Sequence, residues 1–150
     1  AILLGHISEE QKHWLYERCS VFVMPSRELG NGEVEGFGIV FLEANLHERP
    51  VVAGDSAGIR DAVVPGTTGL VVDPESPGEI AEAICALLED SDCALRLGRK
   101  GRERVLREFS WSGVARQILA QLEAVAGNGI SARPRTGSAG ILEHPQDPSA

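Results

Sequence analysis

Two glutamates flank a short stretch with two glycines, E-G-F-G-I-V-F-L-E, which runs from Glu35 to Glu43. The apolar residues 39–42 predict the start of a helix, and the free backbone amides of a helix N-terminus bind anions. The glycines would let a phosphate approach the backbone closely. A carboxylate can accept both hydroxyls of a vicinal diol. The stretch therefore predicts a site for a ligand that carries a phosphate and a sugar ring.

The same two glutamates also have a purely structural explanation. A Glu ahead of a helix complements the helix dipole, and Glu43 could be a solvated surface residue. However, Glu43 follows the apolar run 39–42, so its surroundings should be apolar, and a carboxylate there is costly unless it is satisfied. The residue types by themselves leave both explanations open.

Short apolar runs alternate with helical patterns along the chain, which is typical of a parallel sheet covered by helices on both faces. We predict strands at residues 2–4, 21–24, 51–53 and 70–72. Such α/β sheets bind ligands at the carboxyl ends of their strands. The loops after Leu4, Met24 and Ala53 are therefore expected to line the site.

Several helix starts carry capping residues. Ser8 and Gln11 have the spacing of a capping box, as do Ser76 and Glu79, and Pro77 suits the first helical position. Further helices are predicted over 38–46, 59–63, about 92–109, and after Ser110. We expect Trp111, near the start of that last helix, to anchor it in the core.

The bulk composition limits the possible partners and compartment. The 150 residues suit one domain, and the net charge of −8 argues against nucleic acid or an anionic membrane as the main partner. Three cysteines without C-x-x-C spacing suit a reducing cytoplasm better than a disulfide framework or a zinc site. We predict a domain over 1–126 and a disordered tail over 127–150, where Gly, Pro and Ser are frequent. Since the first residues read as a core strand without an initiating Met, we expect a longer protein.

The stretch E-G-F-G-I-V-F-L-E-A resembles the E-x7-E motif of the family 4 retaining glycosyltransferases, which have the GT-B fold. Flanking segments agree in order. Residues 22–26 resemble the family's strand and P-S turn, 50–53 its next strand, 58–72 its G-x-T-G-x-L-V segment, and 109–111 its F-S-W signature. The likeness runs from about Leu3 to Val125 and covers the C-terminal, donor-binding half of a GT-B enzyme, a Rossmann-like domain.

The resemblance implies roles for individual residues. Glu43 would accept hydrogen bonds from the nucleotide ribose, while Glu35 would be the catalytic residue that faces the donor sugar and orients its hydroxyls. The backbone at the helix start would hold the β-phosphate and the sugar, through Gly36, Phe37, Gly38 and Ile39. Ile7 would meet the base edge with its backbone, and Ser26 would border the pocket. The Phe37 ring could stack on a sugar or pack in the core.

The resemblance also implies an activity: transfer of a hexose, with mannose as one candidate, from a nucleotide-diphosphate sugar to an acceptor with retention. Neither a metal nor a cofactor is expected. The acceptor, a sugar or a lipid, would bind an N-terminal domain absent from this chain, so we expect the chain to be inactive alone. The protein would be cytoplasmic, and any membrane contact would be made through that other domain. Two alternatives remain open, a non-catalytic Rossmann-like interaction module and a GT-B sugar-nucleotide epimerase.

One five-residue segment and one single position depart from the family pattern. Small residues usually follow E-A, but this chain has N-L-H-E-R at 45–49, so the turn there is expected to differ. The Glu that is frequent in the next segment is Asp61 here.

Overall fold

Three parallel strands form one sheet in a computed structural model that describes residues 1–27, 37–56 and 58–127. The strands are β1 (Phe22–Met24), β2 (Val51–Gly54) and β3 (Gly69–Val72), and they lie in the order β1-β2-β3. Val52 of the central strand is paired with Val23 on one side and Leu70 on the other. Three of the four predicted strands are therefore confirmed to within one residue at each end.

The predicted strand at residues 2–4 is wrong. This segment pairs with none of the three strands, and Ile2 and Leu3 are 86% and 97% exposed. An apolar run indicates a tendency toward burial, but a strand also needs a neighbour that pairs with its amides and carbonyls. In the described part of the chain the segment has no such neighbour, so it lies outside the sheet and is exposed.

Six α-helices and one π-helical turn are present in the described residues. They are α1 (Glu9–Arg18), α2 (Ile39–Leu46), α3 (Ile59–Ala62), α4 (Pro77–Glu89), α5 (Ser91–Arg104), the π-turn Val105–Phe109 and α6 (Trp111–Gly127). The predicted helices are thus confirmed, except that the stretch predicted over 92–109 changes from α to π geometry near its end.

The two predicted capping boxes have different outcomes. At α1 both halves form, because Ser8 and Gln11 each accept the backbone N–H of the other. At α4, Ser76 Oγ accepts the Glu79 N–H, but the Glu79 carboxylate accepts the N–H of Asp73 instead of returning to Ser76. The Ser76 N–H donates to the Asp73 carbonyl, so the chain before α4 is folded into a tight turn and only half of the box forms.

Helices cover both faces of the sheet, as alternate residues of β2 demonstrate. Val51 and Ala53 pack in one buried cluster with residues of α1, α2 and α3, whereas Val52 packs in another with residues of α4 and α5. Side chains of a strand alternate between faces, so the two clusters lie on opposite sides of the sheet. This is the predicted Rossmann-like arrangement, in which α2, α3 and α4 each come next after a strand in the chain.

The chain divides into two units, Ala1–Arg116 and Gln117–Ala150. In the second unit the described residues, 117–127, are helical. The predicted disordered tail lies outside the described residues from 128 onward. None of the described helices is both long enough and apolar enough to cross a bilayer.

The expectation that Trp111 anchors its helix in the core is wrong, since its side chain is 92% exposed. Gly113 faces inward at this turn, and a Cβ there would touch the carbonyl oxygen of Arg107. Two residues along an α-helix correspond to a rotation of about 200°, so Trp111 points to the opposite, solvent side.

Candidate functional site

Helix α2 begins at a glycine that no other residue could easily replace. Gly38 is the N-cap, with φ 75°, and a Cβ there would lie 2.6 Å from Cδ2 of Phe41. Gly38 has no side chain, so the N-cap residue itself leaves the first-turn amides of Ile39 and Val40 without a capping acceptor. Uncapped amides at the positive end of a helix dipole can bind an anionic group.

Ser26 lies at the carboxyl ends of two neighbouring strands. Its backbone N–H donates to the carbonyl of Met24, the last residue of β1. Gly54 ends β2, and a Cβ there would touch the Ser26 carbonyl oxygen. This close approach holds the half-buried Ser26 at the same edge of the sheet from which the chain proceeds to α2.

Glu43, one turn into α2, has a partner for each carboxylate oxygen. Lys12 Nζ lies 3.1 Å from Oε1, and the Tyr16 hydroxyl donates to Oε2 over 3.1 Å. The Glu43 side chain is 29% exposed. The sequence required some group to satisfy this carboxylate, and the structure supplies two from α1 while leaving part of it open to solvent.

These contacts alter the acid–base properties of both donors. Burial raises the pKa of Tyr16, and the nearby Glu43 carboxylate raises it further. Hydrogen bonds to Glu9 and to Glu43 raise the pKa of Lys12. Both donors are therefore protonated at neutral pH, and the Glu43 carboxylate lies beside one cation and one neutral hydroxyl.

Ile7, the residue expected at the base edge, shares a surface hollow with the two side chains that contact Glu43. It lines an open groove of about 510 Å³ together with Trp14 and other residues of α1. It also lines a smaller hollow of about 240 Å³ whose walls include Lys12 and Tyr16. Because these two side chains also hold Glu43, the hollow and the carboxylate share the same stretch of α1.

Phe37 and Ile39, two of the residues predicted to contact the donor, lie in different surroundings. The ring of Phe37 packs edge-on against Phe109, with centroids 5.7 Å apart, and contacts the core. Of the two positions expected for the Phe37 ring, stacked on a sugar or packed in the core, the structure shows the second. Ile39, by contrast, is 66% exposed.

The structure brings together part of the predicted site. Lys12 and Tyr16 of α1 contact Glu43 and line a hollow with Ile7, and Gly38 and Ile39 form the helix start one turn before Glu43. Glu35 and Gly36, the other two residues predicted at this helix start, lie outside the described residues. Within the described ranges, no three His, Cys, Asp or Glu side chains are grouped so that they could hold a metal ion.

Sequence reasoning missed Lys12 and Tyr16 as members of this site. Residues four apart share one face of a helix, so the Lys12–Tyr16 spacing is a signal that could have placed both toward one partner. Nothing local identifies that partner as Glu43, which is 31 and 27 residues away along the chain.

Comparisons with known proteins agree with this architecture. Residues 1–104 match the family described as Glycosyl transferases group 1. A GDP-mannose-dependent alpha-(1-6)-phosphatidylinositol monomannoside mannosyltransferase of Mycobacterium tuberculosis is 46% identical over 115 residues, which cover 76% of this chain and 30% of that protein. The chain thus spans about a third of the length of this curated relative.

Solved glycosyltransferase structures have the same fold. Sucrose-phosphate synthase from Thermosynechococcus elongatus superimposes with a TM-score of 0.67 and 33% identity, over 84% of this chain and 30% of that one. Anabaena HepE in complex with UDP-glucose gives a TM-score of 0.61 and 25% identity, over 73% of this chain and 29% of that one. The family match spans the sheet and the whole of helices α1 to α5, and on that ground this chain belongs to the group 1 glycosyltransferases.

Proposed function

We propose that this chain is the donor-binding half of a retaining glycosyltransferase of family 4, and that Glu35 and Glu43 are the two glutamates of its E-x7-E motif. It would bind a nucleotide-diphosphate sugar from which a hexose is transferred to an acceptor. Retention and the motif assignment rest on the resemblance of E-G-F-G-I-V-F-L-E-A and its flanking segments to that family.

The observation that carries the proposal is the position of Glu43. Its half-buried carboxylate lies one turn from the N-terminus of α2, where Gly38 provides no side-chain cap, and contacts Lys12 and Tyr16, which line a hollow together with Ile7. A nucleotide diphosphate needs an acceptor for its ribose hydroxyls and donors for its phosphates. Glu43 and the amides of Ile39 and Val40 supply these two requirements within one helical turn.

The proposed roles follow from this geometry and from the resemblance. Glu43 accepts the ribose hydroxyls, and the backbone at the helix start, Gly36 to Ile39, holds the diphosphate and sugar. Glu35 faces the sugar at the reacting centre. Negative charge grows on the departing diphosphate during glycosyl transfer, so fixed amide donors at that position stabilise the transition state. Ile7 meets the base through its backbone, and Ser26 borders the pocket.

GDP-mannose is the first candidate donor. The mycobacterial relative is named as GDP-mannose-dependent, and a second relative with the same dependence, from Corynebacterium glutamicum, is 38% identical over 122 residues. The acceptor, a sugar or a lipid, would bind a domain outside this chain, because the chain spans only about 30% of those relatives. We therefore propose that the chain alone binds donor without turnover, and that the whole protein acts in the cytoplasm, in contact with the membrane only through that other domain.

Calorimetric titration of GDP-mannose, UDP-glucose and ADP-glucose into the chain tests the proposal. We expect the wild type to bind GDP-mannose best, and Glu43→Ala to weaken that binding at least about tenfold, because hydrogen bonds to a charged group are lost. Glu43→Gln retains the side-chain volume and one acceptor, and we expect an intermediate loss.

Glu82→Ala is the matched control, because Glu82 is an exposed carboxylate on α4, on the opposite face of the sheet from α2. It should bind as the wild type does. Equal affinities for wild type and Glu43→Ala would show the site assignment to be wrong. Failure of all three sugar nucleotides to bind the wild type would favour the interaction-module alternative, and conversion of the bound donor to its epimer would favour the epimerase.

A further inference from the structure

The hydroxyl of Tyr16 occupies a defined position beside Glu43. Its ring is 5% exposed and packs on two others, edge-on against Phe22 at 5.5 Å and stacked on His47 at 5.7 Å. A ring held on these sides cannot swing, so its hydroxyl approaches Glu43 Oε2 from a fixed direction, over 3.1 Å.

Lys12, the other partner of Glu43, is held much less firmly. Its ammonium group is shared between Glu43 Oε1 at 3.1 Å and Glu9 Oε2 at 2.8 Å, and its side chain is 26% exposed. A lysine is a point charge on a flexible four-carbon stem, so it offsets the charge of Glu43 without defining the plane of the carboxylate.

We infer that Tyr16 is a positioning residue, which fixes the rotation of the Glu43 carboxylate so that the ribose diol of a nucleotide meets acceptors already in place. This inference rests on the proposed function of Glu43. A carboxylate offers about four acceptor positions on its two oxygens. Tyr16 and Lys12 use one on each oxygen, which leaves one on each for the two hydroxyls of the diol.

The exposure of the Glu43 side chain agrees with this sharing of its acceptor positions between the two protein donors and the ribose diol. One side of the carboxylate faces α1, while 29% of the side chain is open to solvent and can be reached by a ligand. Tyr16 is buried, so it acts on the ligand through Glu43 and not by direct contact. Prior orientation of a binding group lowers the cost of ordering it when the ligand arrives.

Tyr16→Phe tests the role because it removes the hydroxyl and keeps the ring. The probes are guanosine diphosphate and its 2′,3′-dideoxy analogue, titrated into the full 150-residue chain. We expect Tyr16→Phe to raise the Kd for guanosine diphosphate about fivefold, which is less than the loss of a direct hydrogen bond to a charged group, because Tyr16 acts on the ligand only through Glu43. The Kd for the dideoxy analogue should not change, because that ligand presents no diol to Glu43.

A purely structural role for Tyr16 would give a different pattern. A general packing defect would weaken both nucleotides equally, whereas Phe22→Leu, which loosens the Tyr16 ring and keeps its hydroxyl, should raise only the Kd for guanosine diphosphate, and by less than Tyr16→Phe does. If Tyr16→Phe also weakens both nucleotides equally, or weakens neither, the inference is wrong. Thermal unfolding of each variant measures how far packing has changed.

Glu43→Ala separates this inference from the proposed function. If Glu43→Ala weakens binding of guanosine diphosphate and Tyr16→Phe does not, only the role of Tyr16 is overturned. If Glu43→Ala binds both nucleotides as the wild type does, or if the wild type binds neither, both proposals fail. In the Glu43→Ala background we expect Tyr16→Phe to have no further effect on diol binding, because the group it positions is gone.

Discussion

The side-chain amide of Asn45 donates to the backbone carbonyl of Thr68 over 3.2 Å and to that of Arg49 over 3.0 Å. Asn45 is 1% exposed, and Gly101 of α5 approaches so closely that a Cβ there would touch the Asn45 amide. One side chain thus links α2 to the residue before β3 and packs beneath α5. Asn45 is also the first residue at which this chain departs from the small residues usual after E-A.

Removal of this amide should destabilise the domain. We expect Asn45→Ala to lower the free energy of unfolding by about 1–3 kcal/mol, because buried carbonyl groups lose their donor. Urea unfolding followed by circular dichroism measures the change. Asn45→Asp, which keeps the size but replaces the donor with a carboxylate, should be at least as harmful. A loss below about 0.5 kcal/mol for both would contradict the linking role.

The turn after α2 places a glutamate where glycine is usual. Glu48 has φ 58°, and the N–H groups of Glu48 and Arg49 donate to the carbonyls of Asn45 and Ala44. This is the Schellman arrangement, in which the left-handed residue is most often glycine. We expect Glu48→Gly to raise the free energy of unfolding by about 0.5–1 kcal/mol through relief of strain.

Glu48→Ala is the control for that prediction. Both variants lose the ion pair with Arg102, which joins half-exposed side chains and is expected to contribute little. Only the glycine variant relieves the backbone strain of the positive φ. The difference in free energy of unfolding between the two variants, measured in urea, therefore gives the contribution of that strain. Equal stabilities would indicate that the left-handed conformation costs nothing here.

Gly38 is predicted to be indispensable to the start of α2. Gly38→Ala would add strain of about 1–2 kcal/mol at positive φ, and its methyl group would collide with the Phe41 ring and crowd Ile59. We expect a clear loss of stability in urea and loss of donor binding by calorimetry. In Gly78→Ala the new Cβ meets nothing within 4 Å, so stability should be unchanged or slightly raised. Similar behaviour of the two variants would contradict the role of Gly38.

The chain has a single tyrosine, so the ionisation of Tyr16 can be followed directly by the ultraviolet absorbance of tyrosinate. Burial and the Glu43 carboxylate raise its pKa, so the native chain should titrate above the usual value of about 10, and the urea-unfolded chain near it. Since the raised pKa favours the protonated form in the folded state, stability should be complete below about pH 10 and fall as the pH rises further.

Thermal unfolding between pH 8 and pH 11 measures that loss of stability. Lys12, whose pKa is also raised, contributes in the same direction. Tyr16→Phe should therefore reduce the alkaline loss without abolishing it. A native titration midpoint at the ordinary tyrosine value would argue against the buried contact with Glu43.

Local patterns in the sequence determined much of the fold. Three apolar runs became β1, β2 and β3, and Ser8 with Gln11 formed the cap of α1, because strand burial and helix capping depend on residues close together in the chain. The glycine at 38 and the carboxylate at 43 likewise define the start of α2 and one candidate ligand contact by their spacing. The family resemblance rests on the same ordered segments.

The tertiary structure determined which distant residues these local segments contact. Residues 2–4 carry the signal of a strand but have no pairing neighbour, and the ring of Phe37 packs on Phe109, which lies 72 positions later. The partners of Glu43 come from α1, which precedes β1 in the sequence. Periodicity reports which side chains tend toward burial, but the identity of a distant partner is a property of how helices and strands pack. For that reason the sequence could indicate a carboxylate in need of a donor, and only the fold could supply Lys12 and Tyr16.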